Sequence, residues 1–270
     1  MLHEILLNVS HRPTPLPSAP WRVTQRWNNL LFAHWPVPVA SIRALVPEEL
    51  KIDTFDGSAW VGVVPFWMDR IQLRGVPLLP GAKSFPELNL RTYVRDRRTN
   101  ASGVYFFSID AASPLAVAVA RIFFRLPYYW ARMKIEERIP GNFHYTSTRL
   151  FNKTPVHFEA RYRSRGASFK MAENRPGTLE YFLTERYCVF TTNHKGKVFR
   201  GDIHHAPWPL EEAEAEVDAT ELAAAHGIQL PDTKPVLYYA RELAVYIWPL
   251  ETVRGSLLSV TAPVQVAKSV

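Results

Sequence analysis

The chain has 270 residues, and its proportions of hydrophobic (47%) and charged (21%) residues are typical of a folded globular protein and exclude extended disorder. The formal net charge of +7 is dispersed along the chain, without a zinc-finger spacing, a basic helix or an RNA-binding aromatic motif, so we expect no nucleic-acid partner. The single cysteine, Cys188, excludes an internal disulfide, and no apolar run is long enough to cross a membrane. We therefore expect a cytoplasmic protein without membrane association.

The predicted elements begin after an extended lead-in that covers residues 1–20, where four prolines fall between residues 11 and 20. Ser41 predicts the start of a short helix that ends near Leu45, because Pro47 then closes it.

A β-hairpin is the clearest strand signal. Residues 88–94 and 103–109 are apolar, strand-forming segments on either side of the polar turn 95–102. An earlier strand over residues 59–66 follows an Asp-Gly turn at Asp56.

The best-signalled helix begins at Ser113, whose side chain can cap the first amides, with Pro114 at the first helical position and Pro127 as the stop.

Strands dominate the remainder of the chain. Gly, Pro, Asn or charged turns separate segments that we predict as strands, at residues 145–150, 156–163, 178–191, 197–204 and 237–247. From Ala213 the sequence alternates small or apolar with acidic residues, as a half-exposed strand would, although Ala and Glu also favour a helix. Thr220 predicts a brief helix that ends at Gly227. The chain is thus predicted to be α+β and mainly β, a single domain over residues 1–270 built around a closed or nearly closed antiparallel β-barrel with a few flanking helices.

Three segments resemble the acetoacetate decarboxylase-like proteins. They are the run from Ser113 to Met133, which matches the active-site segment of the decarboxylases, IRALVPEELKID at residues 42–53, and FPEL at residues 85–88. Longer motifs resemble the DUF2071 or YqjF-like family of bacterial proteins within that superfamily. These motifs are LLFAHWPV (30–37), AWVGVVPFWM (59–68), FPELNLRTYV (85–94), GVYFFSIDA (103–111), GTLEYFLTERYCVF (177–190) and IHHAPWPL (203–210). The resemblance implies an acetoacetate decarboxylase-like barrel.

The charged groups of the decarboxylase site are largely replaced in this sequence. The resemblance places the two active-site lysines on Tyr128 and Tyr129, the second acidic residue on Trp60, and the substrate-facing arginine near Asn28. Of these groups only Glu87 is retained. Because a phenol cannot form a Schiff base with a ketone, we expect no acetoacetate decarboxylase activity. Among the lysines elsewhere, Lys83 is the nearest substitute, in the loop before Glu87.

A polar strand face around Glu87 is the main candidate site. Strand alternation places Glu87, Asn89, Arg91 and Tyr93 on one side, so that Arg91 could hold an anionic ligand while Glu87 acts as a base or hydrogen-bond acceptor. The alternative is an ordinary solvent-facing strand or a structural pair between Glu87 and Arg91.

Further candidates surround this face. Tyr128 is predicted to assist Glu87 in catalysis and Tyr129 to contact the ligand, unless the two tyrosines only fill the space of the missing lysines. Arg121, which the resemblance aligns with a helix arginine of the family, is a ligand-binding candidate or a structural tie to a carboxylate such as Glu87 or Glu180. Trp60 is a further candidate for ligand contact.

His204 and His205 are candidates for ligand contact as well. Adjacent strand residues point to opposite faces, so we expect one of the two to face the interior, and their geometry does not suit a shared metal. We expect no metal, and no nucleotide cofactor because Gly-rich phosphate loops are missing.

Three hypotheses follow. The leading one is a protein that binds a small carboxylate or carbonyl compound without Schiff-base chemistry. The second is an enzyme that performs lysine-independent acid–base chemistry, as a lyase, isomerase or hydrolase, on a keto acid or related metabolite. The third is a structural or interaction protein with a filled barrel. Since the resembling decarboxylases assemble into multimers, a homo-oligomer stays open.

Overall fold

Twelve strands form one sheet in the computed structural model, which describes residues 2–76, 84–121, 125–152, 154–168, 175–193 and 195–253. The strands are β1 Val23–Val37, β2 Leu50–Ile52, β3 Ala59–Leu73, β4 Phe85–Asp96, β5 Ser102–Ala111, β6 Tyr128–Ile139, β7 Asn142–Arg149, β8 His157–Ser168, β9 Cys188–Thr192, β10 Val198–His204, β11 Leu210–Asp218 and β12 Val236–Thr252. The short helices are α1 Leu2–Ile5, α2 Val39–Arg43, α3 Pro114–Val119, α4 Leu179–Thr184 and α5 Thr220–Ala224. In the described part of the chain, no helix combines the length and the apolar character that a membrane span needs.

The sheet closes on itself. Its strand order is β10-β9-β5-β6-β7-β8-β11-β12-β1-β3-β4-β2, and two further pairings join β10 to β12 and β4 to β5. Most pairings are antiparallel, whereas β5 pairs in parallel with both β6 and β9. The predicted mainly β fold with a closed, largely antiparallel sheet is confirmed, with these parallel contacts as an addition.

Strand β1 separates two apolar clusters. Leu30 and Phe32 pack into one cluster, which surrounds the cavity described below, and Leu31 and Ala33 pack into the other. Strands β3 and β4 are likewise buried along most of their length. A strand that is covered on both faces loses the alternation of apolar and polar residues, which explains the continuous apolar runs of the sequence here.

Several predicted elements are confirmed. The hairpin is formed by β4 and β5, and the acidic segment after Ala213 belongs to strand β11 rather than to a helix. Ser113 caps α3, since its Oγ accepts a hydrogen bond from the Ala116 amide at 3.2 Å.

Other predictions were wrong in part. The strand predicted over residues 178–191 begins instead as helix α4, because the Thr178 side chain accepts a hydrogen bond from the Tyr181 amide and caps a helical turn. Helix α2 begins at Val39, and Ser41 donates its hydroxyl to the Pro38 carbonyl instead of capping the helix. Strands β1 and β6 were not predicted. The lead-in starts with the short helix α1, and its Arg12 is buried against β10.

Candidate functional site

A cavity of about 320 Å³ lies on the side of the sheet where the predicted polar face points. Its wall is mostly apolar and is built from β1, β3, β4, β5, α3, β6, α4, β9, β10 and β12. The polar side chains that line it include Glu87, Asn89, Arg91, Tyr128, Arg186 and His205. A concave, mainly apolar space with a few polar groups is the usual form of a small-molecule site. An open space of this size contradicts the filled-barrel hypothesis.

Strand β4 brings three of these polar side chains to the cavity. Glu87, Asn89 and Arg91 alternate along the strand, which pairs with β3 on one side and β5 on the other. Their exposed fractions are 5%, 6% and 8%, which exclude the solvent-facing alternative. Four residue steps along the strand separate the Glu87 and Arg91 backbones by about 13 Å. Glu87 has a different hydrogen-bond partner, so the structure shows no Glu87–Arg91 pair.

Glu87 is bonded to Tyr128. The phenolic hydroxyl donates to Oε2 of Glu87 at 2.8 Å. Burial raises the pKa of Glu87 to about 8, and the nearby negative charge of Asp110 adds to this increase, while the Tyr128 hydrogen bond opposes it. Glu87 is therefore mainly protonated at neutral pH and can act as a hydrogen-bond donor or a general acid.

Arg91 is a buried cation without a carboxylate partner among the described residues. Its guanidinium lies 5.5 Å from the centre of the Phe32 ring and 5.9 Å from that of Tyr93. Its Nε has no hydrogen-bond partner in the described part of the chain, and the same is true of Oδ1 of the neighbouring Asn89. Burying an uncompensated charge is costly, which makes this end of the cavity favourable for an anion.

Arg186 and His205 form a different part of the wall. Arg186 donates to Oδ2 of Asp53 at 2.7 Å and to the Phe182 carbonyl at 2.8 Å, so its charge is compensated. The His205 ring stacks on Tyr187 at 4.6 Å. Burial lowers the pKa of His205 to about 4, which keeps this imidazole neutral at physiological pH.

His204 faces away from the cavity. Its Nε2 lies 2.7 Å from the Ile5 carbonyl and its ring stacks against His11 at 5.5 Å, beneath the N-terminal segment. The pair of histidines therefore divides as expected for neighbours on a strand, with His205 in the cavity wall and His204 outside it.

Three further candidates also lie outside the cavity wall. Trp60 is packed in the apolar cluster, with an indole nitrogen that has no partner among the described residues. The Tyr129 ring lies 4.1 Å from the guanidinium of Arg149. Arg121 is exposed, and its Nε donates to the Tyr128 carbonyl at 2.7 Å, so the alternative of a tie from Arg121 to Glu87 or Glu180 is not seen among the described residues.

A buried ion pair lies next to the Tyr129 ring. Arg149 donates from Nε to both carboxylate oxygens of Asp110 at 2.9 and 3.0 Å, and from Nη2 to the Ser108 hydroxyl at 2.6 Å. Burial raises the pKa of Asp110 to about 6, and the Arg149 charge limits that increase.

Sequence reasoning did not include Asp110, Arg149 or Arg186 among the site residues. Arg186 stands in a segment that was predicted as a strand, and its partner Asp53 is 133 positions away. The members of the Asp110–Arg149 pair are also distant in the chain, 39 positions apart. No local signal in the sequence points to these pairs.

Two observations bear on lysine and metal chemistry. No lysine of the described residues lines the cavity, and Lys83 lies outside the described residues. Within the same described ranges, no group of three or more His, Cys, Asp or Glu side chains is placed to hold a metal ion.

Solved structures define the class of fold. An acetoacetate decarboxylase-like enzyme from Sphingomonas wittichii RW1 is similar with a TM-score of 0.60 at 12% identity, over 91% of this chain and 98% of its own. The enduracididine biosynthesis enzyme MppR, solved in complex with pyruvate, gives a TM-score of 0.60 at 10% identity, over 90% of this chain and 94% of its own. The protein has an acetoacetate decarboxylase-like fold.

Sequence comparison then identifies the family. Residues 24–244 match the model of DUF2071, which is described as an uncharacterized conserved protein. The uncharacterized protein YqjF of Bacillus subtilis (strain 168) is 46% identical over 235 residues, which cover 87% of this chain and 94% of YqjF. The chain therefore belongs to the DUF2071 family, as the sequence motifs had indicated.

Proposed function

We propose that the protein binds a small carboxylate or carbonyl compound in the cavity, with the anionic group of the ligand beside Arg91. The observation that carries this proposal is the buried Arg91 guanidinium, which has no carboxylate partner in the described ranges and lines an open cavity. A bound carboxylate would compensate the charge and accept a hydrogen bond from the guanidinium. The pyruvate complex of MppR supports the proposal, because a protein of similar fold accommodates a small keto acid.

The test is isothermal titration calorimetry of the purified protein with 2-oxohexanoate. We expect saturable binding to the unchanged protein and a loss of roughly tenfold or more in Arg91→Gln, since a hydrogen bond to a charged group contributes about 1.5–3 kcal/mol. Arg98→Gln is the matched control, because Arg98 is exposed and outside the cavity. Equal affinities of the two variants, or no binding at all, would exclude the proposed role of Arg91.

Acid–base catalysis on a bound carbonyl compound is the second candidate. The specific observation in its favour is the hydrogen-bonded pair of Glu87 and Tyr128 in the cavity wall. In this proposal the ionised Glu87 takes a proton from the carbon next to the carbonyl, the electron pair forms an enolate, and the carboxyl group returns a proton to the same carbon. Because burial raises the pKa of Glu87 to about 8, the ionised fraction and hence the rate increase as the pH rises through about 8.

Exchange in heavy water tests this step. Proton NMR should show faster loss of the C3 proton signals of 2-oxohexanoate with the protein than without it, and no acceleration by Glu87→Gln. Glu212→Gln, which replaces an exposed carboxylate, should catalyse the C3 proton exchange at the same rate as the unchanged protein. Exchange that is equally fast in both variants would show that Glu87 is not the base.

We also propose a cytoplasmic location and a single domain, with a homo-oligomer as a further proposal. Cys188 supports a reducing compartment, because it is a free thiol. Burial raises its pKa to about 12, which makes this thiol a structural rather than a reactive group. Cell fractionation tests the location, and size-exclusion chromatography with light scattering tests the oligomer.

A further inference from the structure

We infer that the ligand is an elongated amphipathic monocarboxylate, whose carboxylate lies at Arg91 and whose apolar chain passes Glu87 and ends between Met68 and helix α3. This inference rests on the proposed function and adds to it the class of ligand and its direction in the cavity. It depends on the order of polar and apolar groups along the strands, on the volume of the cavity and on the position of α3.

The register of β3 and β4 defines the direction of the cavity. Gly62 is paired with Arg91, Phe66 with Glu87, and Met68 with Phe85. Arg91 therefore lies at one end of this stretch, Glu87 in the middle, and Phe85 with Met68 at the other end. All except Gly62 line the same cavity, so a ligand that contacts Arg91 extends along the strands toward Glu87 and Met68.

The end near Arg91 is polar and buried. Asn89, Thr184, Arg186 and His205 line the cavity together with Arg91, and each of them is at most 8% exposed. Oδ1 of Asn89 and Nε of Arg91 are buried atoms without a hydrogen-bond partner in the described part of the chain. Buried polar atoms are normally satisfied, which makes this end suited to the polar head of a ligand.

The opposite end is apolar. Beyond Glu87 the wall is mostly apolar: it includes Met68, Phe85 and Trp27 from the sheet and Ala116 of α3, with Gln25 as a neutral polar side chain. Helix α3 lies near Glu87 because it begins three residues after Ala111, which is paired with Glu87. The residues named at this end offer no counter-charge for a second carboxylate, which favours a monocarboxylate over a dicarboxylate.

The size of the cavity also distinguishes an extended ligand from pyruvate. A volume of about 320 Å³ corresponds to roughly ten water volumes. Pyruvate would leave most of the apolar wall uncovered, whereas a chain with several more methylenes would cover it. Each buried methylene contributes about 0.8 kcal/mol, which corresponds to about fourfold in affinity.

The experiment is a chain-length series of pyruvate, 2-oxobutanoate, 2-oxohexanoate and 2-oxooctanoate, measured by calorimetry on the full-length protein. We expect the affinity to increase by about fourfold per methylene until the cavity is full, and hexanedioate to bind more weakly than hexanoate. Ala116→Phe should remove the gain of the longer ligands while preserving the binding of pyruvate. Ala118→Phe is the matched control, because Ala118 is exposed on the same helix and does not line the cavity.

The outcomes separate the inference from the proposed function. If every member binds equally and Arg91→Gln weakens all of them, the ligand is small and the inference is wrong, whereas the proposed function stands. If the gain with chain length persists in Ala116→Phe, the tail does not lie at α3 and the inference fails. If no member binds to the unchanged protein, or if Arg91→Gln has no effect, the proposed function fails as well.

Discussion

The hydroxyl of Tyr128 lies 2.8 Å from Oε2 of Glu87, and the two side chains come from strands that are not neighbours in the chain. Strand β6 reaches this position by pairing in parallel with β5, where Tyr128 is opposite Ile109. The phenol thus stands where the resemblance gives a lysine. Glu87 is still present, but its neighbour is a neutral hydroxyl group instead of an amine. A lysine beside Glu87 would favour the carboxylate, whereas a phenol in an apolar wall leaves the carboxyl group mainly protonated.

Glu87 should make the protein less stable as the pH rises. Its pKa is about 8 in the folded protein against 4.5 for an ordinary glutamate, so between these values the folded state holds a proton that the unfolded chain has released. The stabilisation is complete below about pH 4.5 and is lost as the pH rises through about 8, with a slope of at most about 1.4 kcal/mol per pH unit. Urea unfolding of the unchanged protein and of Glu87→Gln, at several pH values, should show this slope only in the former.

The control for this pH profile is Glu212→Gln, which removes an exposed carboxylate. It should follow the profile of the unchanged protein. If the free energies of unfolding of Glu87→Gln and of the unchanged protein differ by a constant amount at every pH, then burial does not raise the pKa of Glu87.

Tyr128→Phe should raise the pKa of Glu87 further. The Tyr128 hydroxyl donates to the carboxyl group and stabilises its ionised form, so its removal favours the protonated form. A hydrogen bond to a charged group contributes about 1.5–3 kcal/mol, which corresponds to an increase of about one to two pH units. Infrared titration of the carboxyl C=O band, taken as the difference from Glu87→Gln, measures this shift. Tyr129→Phe should leave the band unchanged, and a decrease of the pKa in Tyr128→Phe would contradict the assignment of the bond.

The sequence predicts the site where its signals are local. The hairpin of β4 and β5 and the polar face of Glu87, Asn89 and Arg91 follow from alternation and a polar turn, and the structure has both. Strand β1 was missed because it is buried between two clusters from Leu30 onward, so its sequence does not alternate. Strand β6 was missed although residues 131–136 alternate apolar and charged side chains, which is a strand signal that the sequence does carry.

The sequence also could not predict which of the candidate residues line the cavity. Which of His204 and His205 faces the cavity depends on the position of β10 beside β12 and on the N-terminal segment that covers His204. Helix α4 was read as a strand because its residues are mostly aromatic or aliphatic, and the Thr178 cap with burial of Phe182 and Leu183 overrides that preference.

Arg12 should contribute to stability although it lies in the proline-rich lead-in. Its Nη1 donates to the Ile203 carbonyl at 2.5 Å, its guanidinium lies 5.1 Å from the Tyr187 ring, and its side chain is fully buried. We expect Arg12→Ala to lower the free energy of unfolding by about 1.5–3 kcal/mol, because a charge-assisted hydrogen bond is lost and the carbonyl is left unpaired. Chemical denaturation measures the change, with Arg98→Ala as the exposed control. Equal stabilities would mean that the lead-in is not part of the folded core.

Asp110 should contribute strongly to the free energy of unfolding, because its partner Arg149 is buried. The side chains of Asp110 and Arg149 are each 1% exposed, and Arg149 donates to both carboxylate oxygens. Asp110→Leu leaves a buried guanidinium without its counter-charge, so we expect a loss of about 3–5 kcal/mol in the free energy of unfolding. The double variant Asp110→Leu with Arg149→Met removes both charges and should recover most of this loss, since apolar replacements of a buried ion pair are often neutral. Chemical denaturation distinguishes the two variants. If the double variant is no more stable than Asp110→Leu, the cost comes from altered packing rather than from the uncompensated charge of Arg149.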